Sequence, residues 1–347
     1  MRKFDYTFLR NLDVDMGLFN VASKLEGLKE KDVYRQKSFP NSYLGMENAA
    51  RMQSIFGSNA IEGIFTTDDR LNDICMKKVE PLGHDEKEIA GYRDALDIVH
   101  SNYKDMKIDT TTILELHRII MSYSDSAGGM WKDEDNIIGH IREDGTIEVH
   151  FRTLPYKEVP DAMERLVMAY NMARQDSSIN RLLLIACFVQ DFLSIHPFID
   201  GNGRASRLLT LLLLYKEGYD AGKYVSIEQT IYRNKSQYYR ALAASSENWH
   251  EGNNDYLPFI RNFMDTLFLC YKELDRRFTT AVGEKQNKSS RVEFAALNSL
   301  MPISKKELHE NLPDVSEILI SKVLAKLVKE ERLVMIGAGS NVRYMRK

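Results

Sequence analysis

His196-Pro197-Phe198-Ile199-Asp200-Gly201-Asn202-Gly203-Arg204-Ala205-Ser206-Arg207 joins two apolar runs whose three- and four-residue spacing predicts helices over 180–195 and 205–217. Pro197 lacks the N–H that a helix needs, so the first helix stops there. Gly201, Asn202 and Gly203 tolerate positive φ, which lets successive backbone N–H groups turn inward as an anion-binding nest. The second helix begins directly afterwards, adding its free N–H groups and the positive end of its dipole to the same spot. Arg204 and Arg207 stand three apart, hence on one face, and offer two guanidinium forks to phosphate oxygens. Asp200 is placed to hold a magnesium ion bridging phosphates. His196, with an ordinary pKa of about 6.5, is placed to accept a proton from an attacking hydroxyl near neutral pH. A Gly-Asn-Gly turn is most often a connector, and a histidine beside proline is most often structural. A base, a carboxylate, a nest and two arginines within twelve consecutive residues leave little room for that bland reading.

Outward from this loop the chain is mainly α. Helical periodicity recurs at 42–57, 85–103, 111–122, 159–174, 235–245 and 256–278. Residues 136–151 depart from it, with Ile137, Ile138, Ile141, Ile147, Val149 and Phe151 flanking Asp144-Gly145, a dipeptide suited to a β-hairpin turn. Residues 283–290 are polar throughout and read as a linker. Beyond them, helices are expected near 292–300, 304–311 and 316–329. Leu333-Val334-Met335-Ile336 and Val342-Arg343-Tyr344-Met345 then read as a strand ribbon around 337–340. Three helices and a ribbon in that order resemble a winged helix-turn-helix. The expected organisation is an N-terminal helical region (1–105), a central domain (106–280) and a C-terminal winged helix-like domain (290–347).

A length of 347 residues suits two or three compact units. With 44% hydrophobic and 28% charged residues and a net charge of -3, the composition argues against disorder, a membrane protein, or a basic nucleic-acid surface over the whole chain. Arg2 and Lys3 are followed by Asp5 before any apolar run develops, unlike a signal peptide, and the apolar run at 182–189 is too short to span a bilayer. Cys75, Cys187 and Cys270 lack ligand-like spacing, so neither a disulfide framework nor a zinc site is expected, and a cytoplasmic setting fits.

Residues 196–207 match at every fixed position the signature of Fic proteins, His-Pro-Phe-x-Asp/Glu-Gly-Asn-Gly-Arg-x-x-Arg, and the resemblance extends over about residues 43–267. It implies a Fic-type helical core with a β-hairpin flap, and transfer of AMP from ATP to a Ser, Thr or Tyr hydroxyl of a target protein or of the protein itself. Under it, His196 is the general base and Asp200 the Mg2+ ligand. Gly201, Asn202 and Gly203 cradle the α- and β-phosphates, and Arg204 and Arg207 contact the β- and γ-phosphates. The related Doc-type kinases carry lysine where this chain has Gly203, which favours AMP transfer over phosphoryl transfer. The hairpin at 136–151 would hold an extended target segment by strand addition. Ser58-Asn59-Ala60-Ile61-Glu62-Gly63 resembles the family's inhibitory motif, with Ser58, Glu62 and Gly63 at its fixed positions; Glu62 would occupy the Arg207 fork and misalign ATP. In some members the same glutamate supports AMP removal. Tyr238 and Tyr239 are similar to the family's Tyr-Tyr segment near the adenine, Tyr239 being the better candidate and Tyr238 equally readable as core. Ser246 stands where members often have asparagine.

The C-terminal domain carries a small basic excess, with Lys322, Lys326 and Lys329 at helical spacing on its longest helix and Arg343, Arg346 and Lys347 near the ribbon. A DNA partner, a protein partner and a homodimer all stay open for it. Two readings therefore compete: an autoinhibited AMP transferase, favoured by the complete loop, and a DNA-binding regulator whose Fic core serves as an ATP sensor.

Overall fold

The computed structural model describes residues 2–347 apart from 78, 142–145, 284–287, 300, 301, 338, 340 and 341. In chain order the elements are α1 (Met16–Ser38), α2 (Pro40–Ile61), α3 (Asp68–Asn72), α4 (His84–Asn102), α5 (Thr110–Ile120), β1 (Ile137–Ile141), β2 (Ile147–Arg152), α6 (Val159–Arg174), α7 (Arg181–Ile195), α8 (Asn202–Lys216), α9 (Ile227–Arg233), α10 (Lys235–Ser246) and α11 (Leu257–Gly283). There follow α12 (Lys288–Asn298), β3 (Ile303–Ser304), α13 (Lys305–Asn311), α14 (Glu317–Lys329), β4 (Leu333–Ile336) and β5 (Arg343–Arg346). No helix among the described residues is long and apolar enough to cross a membrane.

Helix α7 is the axis of the large core. Every residue from Leu182 to Ile195 is buried, because the helix is apolar almost all round and neighbours cover every side. Asn180 starts it by accepting the Leu182 and Leu183 N–H groups. Helix α8 runs beside it, equally buried, with α4 and α5 against its far side. Asp191, a carboxylate inside α7, is satisfied by the Tyr6 hydroxyl (2.8 Å), the Trp249 indole N–H (2.7 Å) and Arg2 (3.2 Å), which pins the start of the chain onto the helix that leads to the loop. Burial raises the Asp191 carboxyl pKa, against the opposing pull of Arg2. The three cysteines are buried and free.

The hairpin is present as read. β1 and β2 pair antiparallel from Ile137 opposite Arg152 to Ile141 opposite Ile147, with a register shift at Ile138 and Gly139. The expected Asp144-Gly145 turn lies outside the described residues. The C-terminal unit has its own core around Leu308, Ile320, Leu324 and Leu327. It contains the three helices and the ribbon that were expected, plus the two-residue strand β3, in an antiparallel sheet ordered β3-β5-β4.

Several boundaries differ from the sequence reading. Helix α1 was not expected: Asp15 caps it by accepting the Leu18 N–H, but only Leu18, Leu25 and Asp32 are buried, so its apolar period is thin. Helices α3 and α9, of 5 and 7 residues, are too short for periodicity to register. Helix α2 continues to Ile61, four residues further than expected, and delivers Glu62 at its C-cap. The segment 283–290 is not a linker throughout, since Gly283 belongs to α11 and Lys288, Ser289 and Ser290 to α12; residues 284–287 lie outside the described set.

Candidate functional site

The loop between α7 and α8 is built by backbone geometry before any side chain acts. His196 closes α7 in the left-handed region (φ 53°), its N–H still reaching the Phe192 carbonyl. A non-glycine residue there is strained, and the fixed turn into Pro197 carries that strain. Gly201 is left-handed too (φ 78°), as expected of the nest. Asn202 and Gly203 are not: helix α8 begins at Asn202, three residues earlier than its apolar period suggested, so both adopt helical geometry. No side chain caps α8, and its first turn lines a cleft of about 320 Å³ together with Glu62, His84, Glu88, His196 and Asp200. An uncapped helix N-terminus opening onto a cleft is a ready anion site.

The side chain of Asn202 faces away from this role. Its Oδ1 accepts the Phe198 N–H (2.9 Å) and its Nδ2 donates to the Phe198 carbonyl (2.7 Å), stapling the loop shut and leaving only its backbone for the cleft. Phe198 is wholly buried and stacks on His117 at 3.6 Å. The Gly129 N–H donates to His117 Nδ1 (3.0 Å), so Nε2 carries the proton and donates to the Asp200 carbonyl (3.0 Å). His117, which the sequence reading passed over, thereby fixes the backbone of Asp200. The Asp200 carboxylate itself is exposed, at 59% of its side chain.

His196 Nδ1 donates to the Leu193 carbonyl at 3.3 Å, which leaves Nε2 as the lone-pair nitrogen. Burial pushes its pKa down to about 4, and the positive charge of Lys132 acts in the same direction. The imidazole is therefore neutral at pH 7, the form a base requires.

Each arginine of the motif has a glutamate from another helix. Arg207, 4% exposed, donates to Ser58 Oγ (2.8 Å), to the Ser58 carbonyl (2.9 Å) and to Glu62 Oε1 (2.7 Å). Burial pushes the Glu62 carboxyl up, but the charge and hydrogen bond of Arg207 outweigh it and hold the pKa below the ordinary glutamate value. Arg204, 2% exposed, forms an ion pair with Glu88 of α4, itself 1% exposed, and lies 3.3 Å from Asp200. The Glu88 pair is close but not aligned as a hydrogen bond. Nothing local in the sequence marked Glu88. Gly203 sits where these groups converge, and a Cβ there would collide with the Glu62 carboxylate, lying 3.0 Å from its Cδ.

The two tyrosines separate. Tyr238 is a core residue, 7% exposed and packed edge-on against Phe259 at 5.8 Å; Tyr239 is 39% exposed. Neither lines the phosphate cleft. Ser246 donates to the Leu242 carbonyl and accepts from Gln190. Gly63 follows Glu62 in the left-handed region (φ 83°) and ends the helix that carries it.

Comparison with known proteins agrees with this geometry. Residues 107–214 match the model described as Fic/DOC family. Curated relatives include proteins named protein adenylyltransferase Fic, from Nematostella vectensis (27% identical over 68% of this chain) and Drosophila grimshawi (28% over 62%). The chain spans 52% and 41% of the lengths of those two relatives. Among solved structures, a Fic family protein from Desulfovibrio desulfuricans G20 superimposes with a TM-score of 0.61 at 19% identity, covering 97% of both chains. Fic-1 from C. elegans superimposes with a TM-score of 0.59 at 19% identity, covering 76% of this chain and 73% of that one. Residues 107–214, with the loop 196–207 inside them, thus match the Fic/DOC family model within a longer, mainly helical fold that resembles those of Fic proteins.

Proposed function

We propose that this protein transfers AMP from ATP to a hydroxyl group of a protein, and that Glu62 holds it inactive at rest. The observation that carries the reading is the convergence on one cleft of a neutral, part-buried histidine, an uncapped helix N-terminus, the buried Arg204 and the carboxylate of Glu62, which in turn engages the buried Arg207. Relatives named for adenylyl transfer support the choice of reaction.

The chemistry follows from the residues. His196 Nε2 takes the proton of the attacking hydroxyl, whose oxygen bonds to the α-phosphorus as the bond to the leaving pyrophosphate breaks. The first-turn N–H groups of α8 and the Arg204 guanidinium offset the negative charge of the phosphates, which is where such a reaction gains most. No group of three or more His, Cys, Asp or Glu residues able to hold a metal exists among the described residues. The exposed carboxylate of Asp200, beside a phosphate site, still fits a magnesium ion that takes its remaining ligands from phosphate and water. Such an ion would offset negative charge on the phosphates. The hairpin β1–β2 lends an edge to an extended acceptor segment. Tyr239, exposed and near enough to feel the charges of Glu62 and Arg207, is the aromatic group suited to the purine, with Tyr238 as its support from the core.

While Glu62 occupies Arg207, the fork that would orient the terminal phosphate is taken. The same carboxylate, next to His196 in the cleft, also suits removal of AMP by water. The decisive experiment incubates wild type, Glu62→Gly and His196→Ala with Mg2+ and α-labelled ATP, with the protein and a cell lysate as acceptors. Label should rise in Glu62→Gly and vanish in His196→Ala. No transfer by any form would sink the reading.

A second activity has its own observation. In the winged helix-like unit, α14 presents Lys322, Lys326 and Lys329 at the surface. That stripe suits duplex DNA phosphates, and binding that weakens steeply with salt is its test.

A further inference from the structure

Lys132 lies outside the phosphate cleft, yet it is 3% exposed. Its ammonium donates to Thr153 Oγ1 (2.7 Å) and Asn136 Oδ1 (2.8 Å) and reaches the Ile195 carbonyl at 3.5 Å. All three acceptors are neutral. Asn136 immediately precedes β1 and Thr153 immediately follows β2, so one side chain joins both feet of the hairpin. Ile195 is the last residue of α7, and its carbonyl belongs to the negative end of the helix dipole, where a cation is favoured. The backbone repeats the link. The Lys132 N–H donates to the Pro197 carbonyl (2.8 Å), and Asn136 Nδ2 donates to the Phe198 carbonyl (3.0 Å). Three carbonyls around His196, those of residues 195, 197 and 198, are thus held from the base of the hairpin.

Burying a cation among neutral acceptors is costly, and an uncharged side chain would fill the same space with less desolvation. Burial lowers the Lys132 pKa to about 8, Asp135 of the same loop opposing. A charge kept in such a place is explained by what it holds.

We propose that Lys132 is a positioning residue of the transfer reaction: its ammonium locks the two feet of the hairpin onto the His196-Pro197 turn, so that a protein segment aligned along the hairpin meets the imidazole at a fixed separation. The inference rests on the transferase reading above. A small misplacement of acceptor and base is enough to lose much of the rate, since alignment supplies a large part of such catalysis. The charge has a second consequence. Alongside burial, Lys132 disfavours protonation of His196, while the Leu193 carbonyl and the Glu62 carboxylate act the other way. Lys132 therefore both places the base and helps keep it unprotonated.

The test uses the full chain in a Glu62→Gly background and compares the parent with Lys132→Met and Lys132→Arg. The probes are α-labelled ATP with Mg2+ and, as acceptors, a His196→Ala copy of this protein and a cell lysate. ATP affinity is measured by calorimetry and the His196 titration midpoint by NMR on histidine-labelled protein. In Lys132→Met, ATP affinity should stay within about twofold while transfer falls roughly 10- to 100-fold. The acid limb of the rate profile and the His196 midpoint should both move to higher pH, and Lys132→Arg should recover most of the rate. Transfer within about twofold of the parent, with an unmoved midpoint, overturns the proposal. So does a joint loss of ATP affinity and transfer that Lys132→Arg fails to relieve, because that pattern describes a merely structural lysine. Should the parent itself transfer no AMP, the transferase reading falls, and an unmoved His196 midpoint in Lys132→Met then overturns this inference separately.

Discussion

Arg204 and Arg207 leave the same face of α8, and each is met by a glutamate from a different helix, but the two meetings differ in kind. Glu88 comes from the second turn of α4, with both partners almost fully buried. Glu62 is the C-cap of α2, with about a third of its side chain open to the cleft. Breaking the first pair strands a charge inside the protein, whereas moving the second turns one residue at a helix end. The difference separates framework from restraint. Arg204 is fixed by a partner as buried as itself, while Arg207 is paired with a carboxylate that is part exposed.

The most severe way to break this comparison is Glu88→Ala. It leaves Arg204 buried with only a 3.3 Å contact to Asp200 and the charge of Glu62 to offset its own, and a denaturant titration should lose about 3 kcal/mol of stability. A cost near zero would mean that the Glu88 pair is as dispensable as an exposed one. Next comes Gly203→Ala, whose new Cβ collides with Glu62 rather than with the helix backbone. It should cost roughly 1–3 kcal/mol in the wild type and distinctly less in a Glu62→Gly background. Equal costs in both backgrounds would show that the crowding does not involve Glu62.

Glu62→Gly alone should change stability by no more than ~1 kcal/mol, because the pair is part exposed and Arg207 keeps both contacts to Ser58. The smallest effect concerns pH. The folded pKa of Glu62 lies below its unfolded value, so its contribution is fully present above the ordinary glutamate range and is lost as pH falls through the folded value. The difference in melting temperature between wild type and Glu62→Gln should therefore be flat from pH 7 to 5 and narrow only in more acid solution. A difference that already shrinks at pH 6 would contradict the depressed carboxyl.

The parts that were legible and those that were not follow a pattern of range. Helix α7 declared itself because it is apolar almost all round and bounded by Asn180 and Pro197, and α6 because its buried face from Val159 to Ala173 keeps a helical period. Helix α1 did not, because it buries so little of its surface that its period is faint. The start of α8 was misjudged because Asn202 and Gly203 carry turn propensity, and packing of the following apolar face overrides it. The loop position of Asn202 points to its backbone N–H as a phosphate contact but says nothing of its side chain, which is spent on Phe198, a contact that needs the folded turn to exist.

The sequence by itself determined the chemistry of residues 196–207. Base, carboxylate, helix start and paired arginines lie within one local stretch, where helix spacing and proline and glycine geometry dictate their arrangement. It also located the hairpin, from apolar residues spaced on either side of the Asp144-Gly145 turn dipeptide. Only the tertiary structure decided which groups face that stretch from elsewhere: Glu88 on Arg204, His117 behind Asp200 and Lys132 beneath His196. Glu62, 145 residues before Arg207, was recognisable only through resemblance. The physical reason is that local geometry is set by backbone torsions and short spacings. The partners of a buried charge are set instead by how separate helices pack, and no single segment encodes that.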